Sequence, residues 1–282
     1  ELCGYVNDGE GEFNPAGIEA VADMVTINTA LASLDVSSNV ISDFGNDVTG
    51  LQSLVNAICV STSLITIDLQ CNDLGSGCAK VLAPAMTKSV LQTVDLSHNA
   101  LTLNSEGEID LTGIGSLAEA VSSSKSLRVF KIFDNCLCDK SVKIITSALN
   151  GKCISLCGLA PDQTHVDFEN QSWCGLNAKF VAWELLHGIC GGSVESIHLL
   201  NSINSDSLKQ LVPCFKSKSS LKFVRLSKCN LSVDELKSST PVNLAGQELG
   251  VNDAIVIAEL IRDNRNLTTL DLSHNTTLAP KT

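Results

Sequence analysis

One nine-residue pattern recurs along the chain, and it restricts the fold more than any other feature. It runs Leu, two variable residues, an aliphatic, one variable, an aliphatic, two variable, Asn. It reads LASLDVSSN at 31–39, LITIDLQCN at 64–72, LQTVDLSHN at 91–99, LRVFKIFDN at 127–135 and LTTLDLSHN at 267–275. LKFVRLSKC at 221–229 fits with Cys229 in the Asn position, and VESIHLLNS at 194–202 fits with Ser202 there. VDFENQ at 166–171 and VNLAGQ at 242–247 are degenerate copies. Within each copy, alternate residues of a short strand face opposite sides. Leu34 and Val36, or Ile67 and Leu69, therefore point to a core, and the residues between them point to solvent. The Asn leaves the strand and turns inward, where its amide can bond the main chain of the turn.

Between these copies lie amphipathic stretches with apolar residues at three- and four-residue steps. They predict helices over 15–30, 48–60, 78–88, 114–124, 140–149, 176–189, 208–216 and 253–262. Strand, turn and helix in repeated order match the segment L-x-x-L-x-L-x-x-N/C-x-L of leucine-rich repeats. The shortest full repeats, 64 to 91 and 194 to 221, advance 27 residues. Repeats of that length resemble the ribonuclease-inhibitor type of leucine-rich repeat, also found in NOD-like receptors and in protist and algal proteins. The resemblance implies an α/β solenoid, a horseshoe with parallel strands on its concave face and helices on its convex face. It spans residues 1–282 as one solenoid. LCGYVND at 2–8 and LCGLAPD at 156–162 look like one junction used twice, which leaves open two tandem arrays, 1–152 and 153–282. Two departures stand out. TLNSEGEID at 102–110 is extra and predicts a loop, and SVDELKSSTP after Leu231 leaves little room for an outer helix.

The composition fits a repeat core. The chain is 44% hydrophobic but only 4% aromatic, which excludes disorder and suits tiling by Leu, Ile, Val, Ala and Cys. No apolar run approaches the ~18 residues of a membrane span, so direct membrane insertion is not expected. Net charge is −12, and residues 1–79 contain eleven acids and no Lys or Arg. An acidic surface repels phosphate backbones, which argues against nucleic acid and favours a basic protein partner. The twelve Cys fit a reduced, intracellular and most simply cytoplasmic setting, with an organelle as the alternative, because a chain this long can build a core without staples. Disulfides and a zinc site at Cys136, Cys138, Cys153 and Cys157 are the competing readings, though the spacing lacks paired C-x2-C knuckles. Metal, cofactor and catalytic residues are all expected to be none.

One string imitates chemistry. GIGSLA at 113–118 follows IDL and has Asp134 about twenty residues on, like a dinucleotide fingerprint. It also falls where other repeats begin a helix, so a non-enzyme remains the expectation. Function is expected on the concave face, in a ladder made by the residue between the two core aliphatics: Asp35, Asp68, Asp95, Lys131, Asp167, His198, Arg225, Asn243 and Asp271. Phe133 and Phe223 are expected beside Lys131 and Arg225, as exposed aromatics of the kind that anchor interfaces. The role this predicts is protein–protein recognition as a scaffold or subunit of an assembly. The alternative is an inhibitor or sensor module gripping a basic protein. The C-terminal edge of the solenoid, just past Leu278, is expected to be covered by a neighbour or by further sequence.

Overall fold

A computed structural model describes residues 2–3, 12–169, 175–187, 190–199 and 203–275. It divides into two compact units, 1–158 and 159–282. In the first unit the order is α1 (Ala16–Ile27), β1 (Ser33–Asp35), α2 (Thr49–Val60), β2 (Thr66–Asp68), α3 (Ser76–Lys88), β3 (Thr93–Asp95), α4 (Thr112–Ser123), β4 (Val129–Lys131) and α5 (Asp139–Ala148). The strands form one parallel sheet in the order β1-β2-β3-β4. Beyond β4 the ladder continues as a single bridge, with Phe130 N–H donating to Ser155 O at 2.8 Å.

The register puts like positions side by side. Ile67, Val94 and Phe130 form one buried row, and Val36, Leu69, Leu96 and Ile132 the next. Each such side chain stabilises the fold by about 1.5–3 kcal/mol relative to exposure. Leu34, on the outermost strand, is only half-buried. The helices close the other side of this core with Leu54, Val55 and Ile58, then Cys78 and Leu82, then Leu117 and Val121.

Glycine sets how closely two of the helices approach. A Cβ on Gly50 would lie 2.2 Å from Ile18 Cγ2, and one on Gly113 would lie 2.2 Å from Ser76 O. That accounts for the first glycine of GIGSLA. The string lies inside α4, not at a strand-to-helix turn, and IDL before it makes only an isolated bridge from Ile109 to Leu103. The dinucleotide reading loses its structural context.

In the second unit the order is β5 (His165–Asp167), α6 (Gly175–His187), β6 (Ser196–His198), α7 (Ser205–Ser217), β7 (Phe223–Arg225), β8 (Asn230–Ser232), α8 (Val233–Ser238), β9 (Val242–Asn243), α9 (Val251–Ile261) and β10 (Leu270–Asp271). Strands β5, β6 and β7 are parallel, and β9 pairs with β10 in a separate two-stranded sheet. The eight helices read from sequence are all present. Strand β8, which pairs antiparallel with β7, leads into the stretch read as helix-poor, and that stretch holds the six-residue α8. A groove between α7 and α9 is lined by Val212, Pro213, Ile255 and Ala258.

Lysines cap two helices of this unit through the C-terminal carbonyls. Lys218 Nζ donates to Leu185 O at 3.2 Å, and Lys237 Nζ donates to Phe215 O and Lys216 O at 3.2 and 2.8 Å. Cations belong at that end of a helix dipole. Cys3, Cys78, Cys214 and Cys229 are buried, and burial pushes the Cys214 thiol up to about 11. Cys174, Ser202, Gln171 and Leu278 lie outside the described residues, as does the chain edge past residue 275.

Candidate protein-interaction surface

After β1 to β4 and β10 the consensus Asn closes the turn that ends the strand. Asn99 is 6% exposed, and its Nδ2 donates to Leu96 O and Ser97 O of its own turn at 2.9 and 3.2 Å. The same amide donates to Leu69 O of the preceding repeat at 3.0 Å. Its Oδ1 accepts from Asn72 N and Leu74 N at 2.9 and 3.0 Å. Asn72, Asn135 and Asn275 repeat the arrangement, so the amides link each repeat to the one before. The residue before each of these Asn, and before Asn39, is left-handed: Ser38, Cys71, His98, Asp134 and His274 have φ of 58, 51, 56, 53 and 61°. Asn, Asp and His tolerate that region better than most residues. The two LSHN histidines thus sit where the turn bends, and that accounts for their shared context.

The ladder residues have a structural duty as well. Asp35, Asp68, Asp95, Asp167 and Asp271 each accept, through Oδ1, the main-chain N–H two residues on, at 2.8–3.0 Å. Asn243 does the same toward Ala245 N at 3.0 Å. These short loops back to the main chain are Asx turns. They hold the carboxyls of Asp35 and Asp271 below the ordinary range: for Asp35 through the Ser37 hydroxyl and then its N–H, for Asp271 through the Ser273 N–H and then its hydroxyl. The repeated Asp is therefore explained first by the turn, and its charge comes with it.

What remains open to a partner differs between the units. In the first, register aligns Asp35 with Asp68, Asp68 with Asp95, and Asp95 with Lys131. Asp35 is exposed and Asp68 half-buried, whereas Asp95 is 6% exposed and paired with Lys131 Nζ at 3.2 Å. The acidic strip therefore narrows to Asp35 and Asp68. Lys131 also lies over Gly158, where a Cβ would be 2.8 Å from Lys131 Cε.

Phe133 corrects the sequence reading. Expected beside Lys131 on the exposed face, it is 5% exposed. The strand stops at Lys131, and Phe133 O accepts from His98 N and Asn135 Nδ2 as the chain turns inward. Ile132 and Phe133 are buried in succession, so two-residue alternation no longer applies there.

In the second unit one row runs Asp167, His198, Arg225 and Asn230, and the adjoining row His165, Ser196, Phe223 and Ser232. Phe223 is 39% exposed and lies on the same side of β7 as Arg225. Asn230 and Ser232 were missed from sequence, because the repeat pattern puts Asn230 and Leu231 in the turn after Cys229 and gives no sign of β8. Its only cue is the shortage of helix-length sequence after Cys229. Asp271 lies in the sheet of β9 and β10, in register with Asn243.

On α9, Asp253 is 1% exposed; its Oδ2 accepts from Gly250 N at 2.8 Å, while its Oδ1 has no hydrogen-bond partner among the described residues. Burial raises its carboxyl above the ordinary range. The native state then holds this proton more tightly than the unfolded chain. The group's stability contribution is full below the unfolded value and is lost as pH rises through the folded one. Asp253→Asn is expected to gain urea resistance over the parent as pH rises from about 4 to about 7. Parallel urea midpoints across that range check this, and a pH-independent difference would contradict it.

The described strand, Asn turn and helix units have the layout of leucine-rich repeats, and the chain is an α/β protein built from them. Residues 263–280 match the leucine-rich repeat family. No curated protein sequence matches the chain. Among solved structures, the chain is similar to the leucine-rich repeat-containing protein LegL7 of Legionella pneumophila, with 15% identity and a TM-score of 0.44, over 93% of this chain and 72% of that one. It is also similar to the tropomodulin C-terminal domain of Caenorhabditis elegans, with 11% identity and a TM-score of 0.38, over 70% of this chain and 90% of that one. Among the described residues no helix is long and apolar enough to cross a membrane. Nor do three or more His, Cys, Asp or Glu side chains there converge as a metal site.

Proposed function

We propose that the chain is a non-enzymatic protein-recognition module, a scaffold or subunit of a larger assembly, that binds through its strand faces. The observation that carries this reading is the set of unlike side chains held in strict register on short strands. Such rows vary from strand to strand, and in the first unit the backbone beneath them is fixed by the buried Asn amides. A rigid, preorganised surface loses little entropy on binding. A photo-crosslinking residue at Thr66, on the strand face, should trap the physiological partner. The same residue at Gln52, exposed on α2, should not. Trapping at Gln52 alone would overturn the reading.

The alternative, an inhibitor or sensor that grips a basic protein, is supported by Asp35 and Asp68 in a stretch without Lys or Arg. Exposed charges act mainly on association rate and are screened by salt. The double substitution Asp35→Asn with Asp68→Asn should slow association with a basic partner severalfold at low salt and change little near 0.5 M. This can be read by surface plasmon resonance, and an unchanged association rate at low salt would count against a basic partner.

A further inference from the structure

Most cations on or beside the strands are already neutralised. Lys131 pairs with Asp95 at 3.2 Å, Lys222 with Glu195 at 2.9 Å and Lys228 with Glu248 at 2.7 Å. Arg225 is different. It is half-buried, its Nε donates to Ser227 O at 3.2 Å, and it enters no ion pair among the described residues. The Nε bond fixes the guanidinium plane and leaves the two Nη groups without a partner among the described residues.

Its surroundings favour an anion joined to an apolar group. Phe223 stands two residues earlier on the same side of β7, and His198 is the neighbour across the sheet. Ser196, beside Phe223 in register, is 6% exposed, and its Oγ has no hydrogen-bond partner among the described residues. Asp167 is the one carboxylate in the two rows. It lies beyond His198, about 10 Å from Arg225 by strand spacing, and its Oδ1 is held by Glu169 N.

We propose that this face takes an extended acidic protein segment, with one carboxylate on the Nη groups of Arg225 and an apolar side chain two residues away against Phe223. This rests on the reading that the strand faces bind protein. An Arg–carboxylate fork is among the stronger and more directional contacts available. Residues two apart on an extended segment are about 6.6 Å apart, the same separation as Phe223 and Arg225 on β7. The recognised pattern is therefore acid, any residue, apolar. Its charge preference is opposite to that of the strip at Asp35 and Asp68.

The test uses the full chain and a fluorescein-labelled peptide repeating Glu-Gly-Leu, with a Lys-Gly-Leu peptide as the counterpart, followed by fluorescence anisotropy. The Glu peptide should bind saturably. Arg225→Gln should weaken it by about tenfold or more. Phe223→Ser should weaken it severalfold, and Arg225→Lys should fall between Arg225→Gln and the parent. Gln52→Ala, on the exposed side of α2, should leave it unchanged. Urea midpoints of the variants establish that each is folded, and Phe223→Ser and Arg225→Lys serve if Arg225→Gln is not. Absence of saturable binding, or equal binding by parent and Arg225→Gln, overturns the proposal. If Thr66 still traps the physiological partner in that case, only this inference fails and the broader recognition reading stands.

Discussion

Asn99→Ala is expected to cost about 3–4 kcal/mol, a large fraction of the stability of an ordinary domain. Truncation removes an amide that donates to Leu69 O, Leu96 O and Ser97 O and accepts from Asn72 N and Leu74 N. Those main-chain groups stay buried, and each unsatisfied one costs about 1–3 kcal/mol. The carbonyls keep a second lone pair and the turn can relax, so the sum falls short of five full penalties. Asn39→Ala provides the comparison. Asn39 is half-buried and its neighbours reach water, so about 1 kcal/mol is expected there. Urea unfolding followed by far-ultraviolet circular dichroism checks both. Equal effects at the two positions would mean that the side chain is replaceable by solvent and does not fix the repeat. Asn99→Cys should be nearly as damaging as Asn99→Ala, since a thiol supplies one weak donor in place of an amide. That bears on Cys229, which takes the Asn position after β7, where the parallel ladder gives way to the antiparallel β8.

The regular part of the fold was legible because each repeat obeys two simple periods. Helices over 49–60 and 251–261 follow from apolar residues at three- and four-residue steps, and strands over 66–68 and 93–95 from alternation. The register then follows, because identical units stack like on like. Strand β8 was not legible. In NLS at 230–232 the first two residues are the variable position and the Leu that follow Cys229 in the repeat, where other copies turn, and its pairing is decided by the length of chain left between β7 and β9. The ladder was legible as a row of positions, but its chemistry was not. Asp at the strand end looks like surface charge in sequence, whereas in space it first serves the main-chain N–H two residues on. Only pairing distances separate Asp95, neutralised by Lys131, from the more open Asp35. They also separate Lys131 from Arg225, two bases that occupy the same repeat position and differ in whether an acid stands in the neighbouring strand.

The two aromatic residues that looked equivalent in sequence should behave oppositely. Phe133→Ala is expected to lose about 3–5 kcal/mol, the usual cost of emptying a buried Phe site. Phe133 is 5% exposed, and it lies between Ile132 and the left-handed Asp134, so the backbone that could collapse into the cavity is itself pinned by Asn135. Phe223→Ala removes a ring that is 39% exposed on a strand whose core residue is Val224. Its effect on stability should stay within about 1 kcal/mol, while its effect on partner binding should be large, as for exposed aromatic anchors. Urea midpoints and partner affinity measured on both variants separate the roles. Should Phe133→Ala keep its stability and lose binding, the strand face would have to extend past Lys131, and the sequence expectation would replace the buried placement.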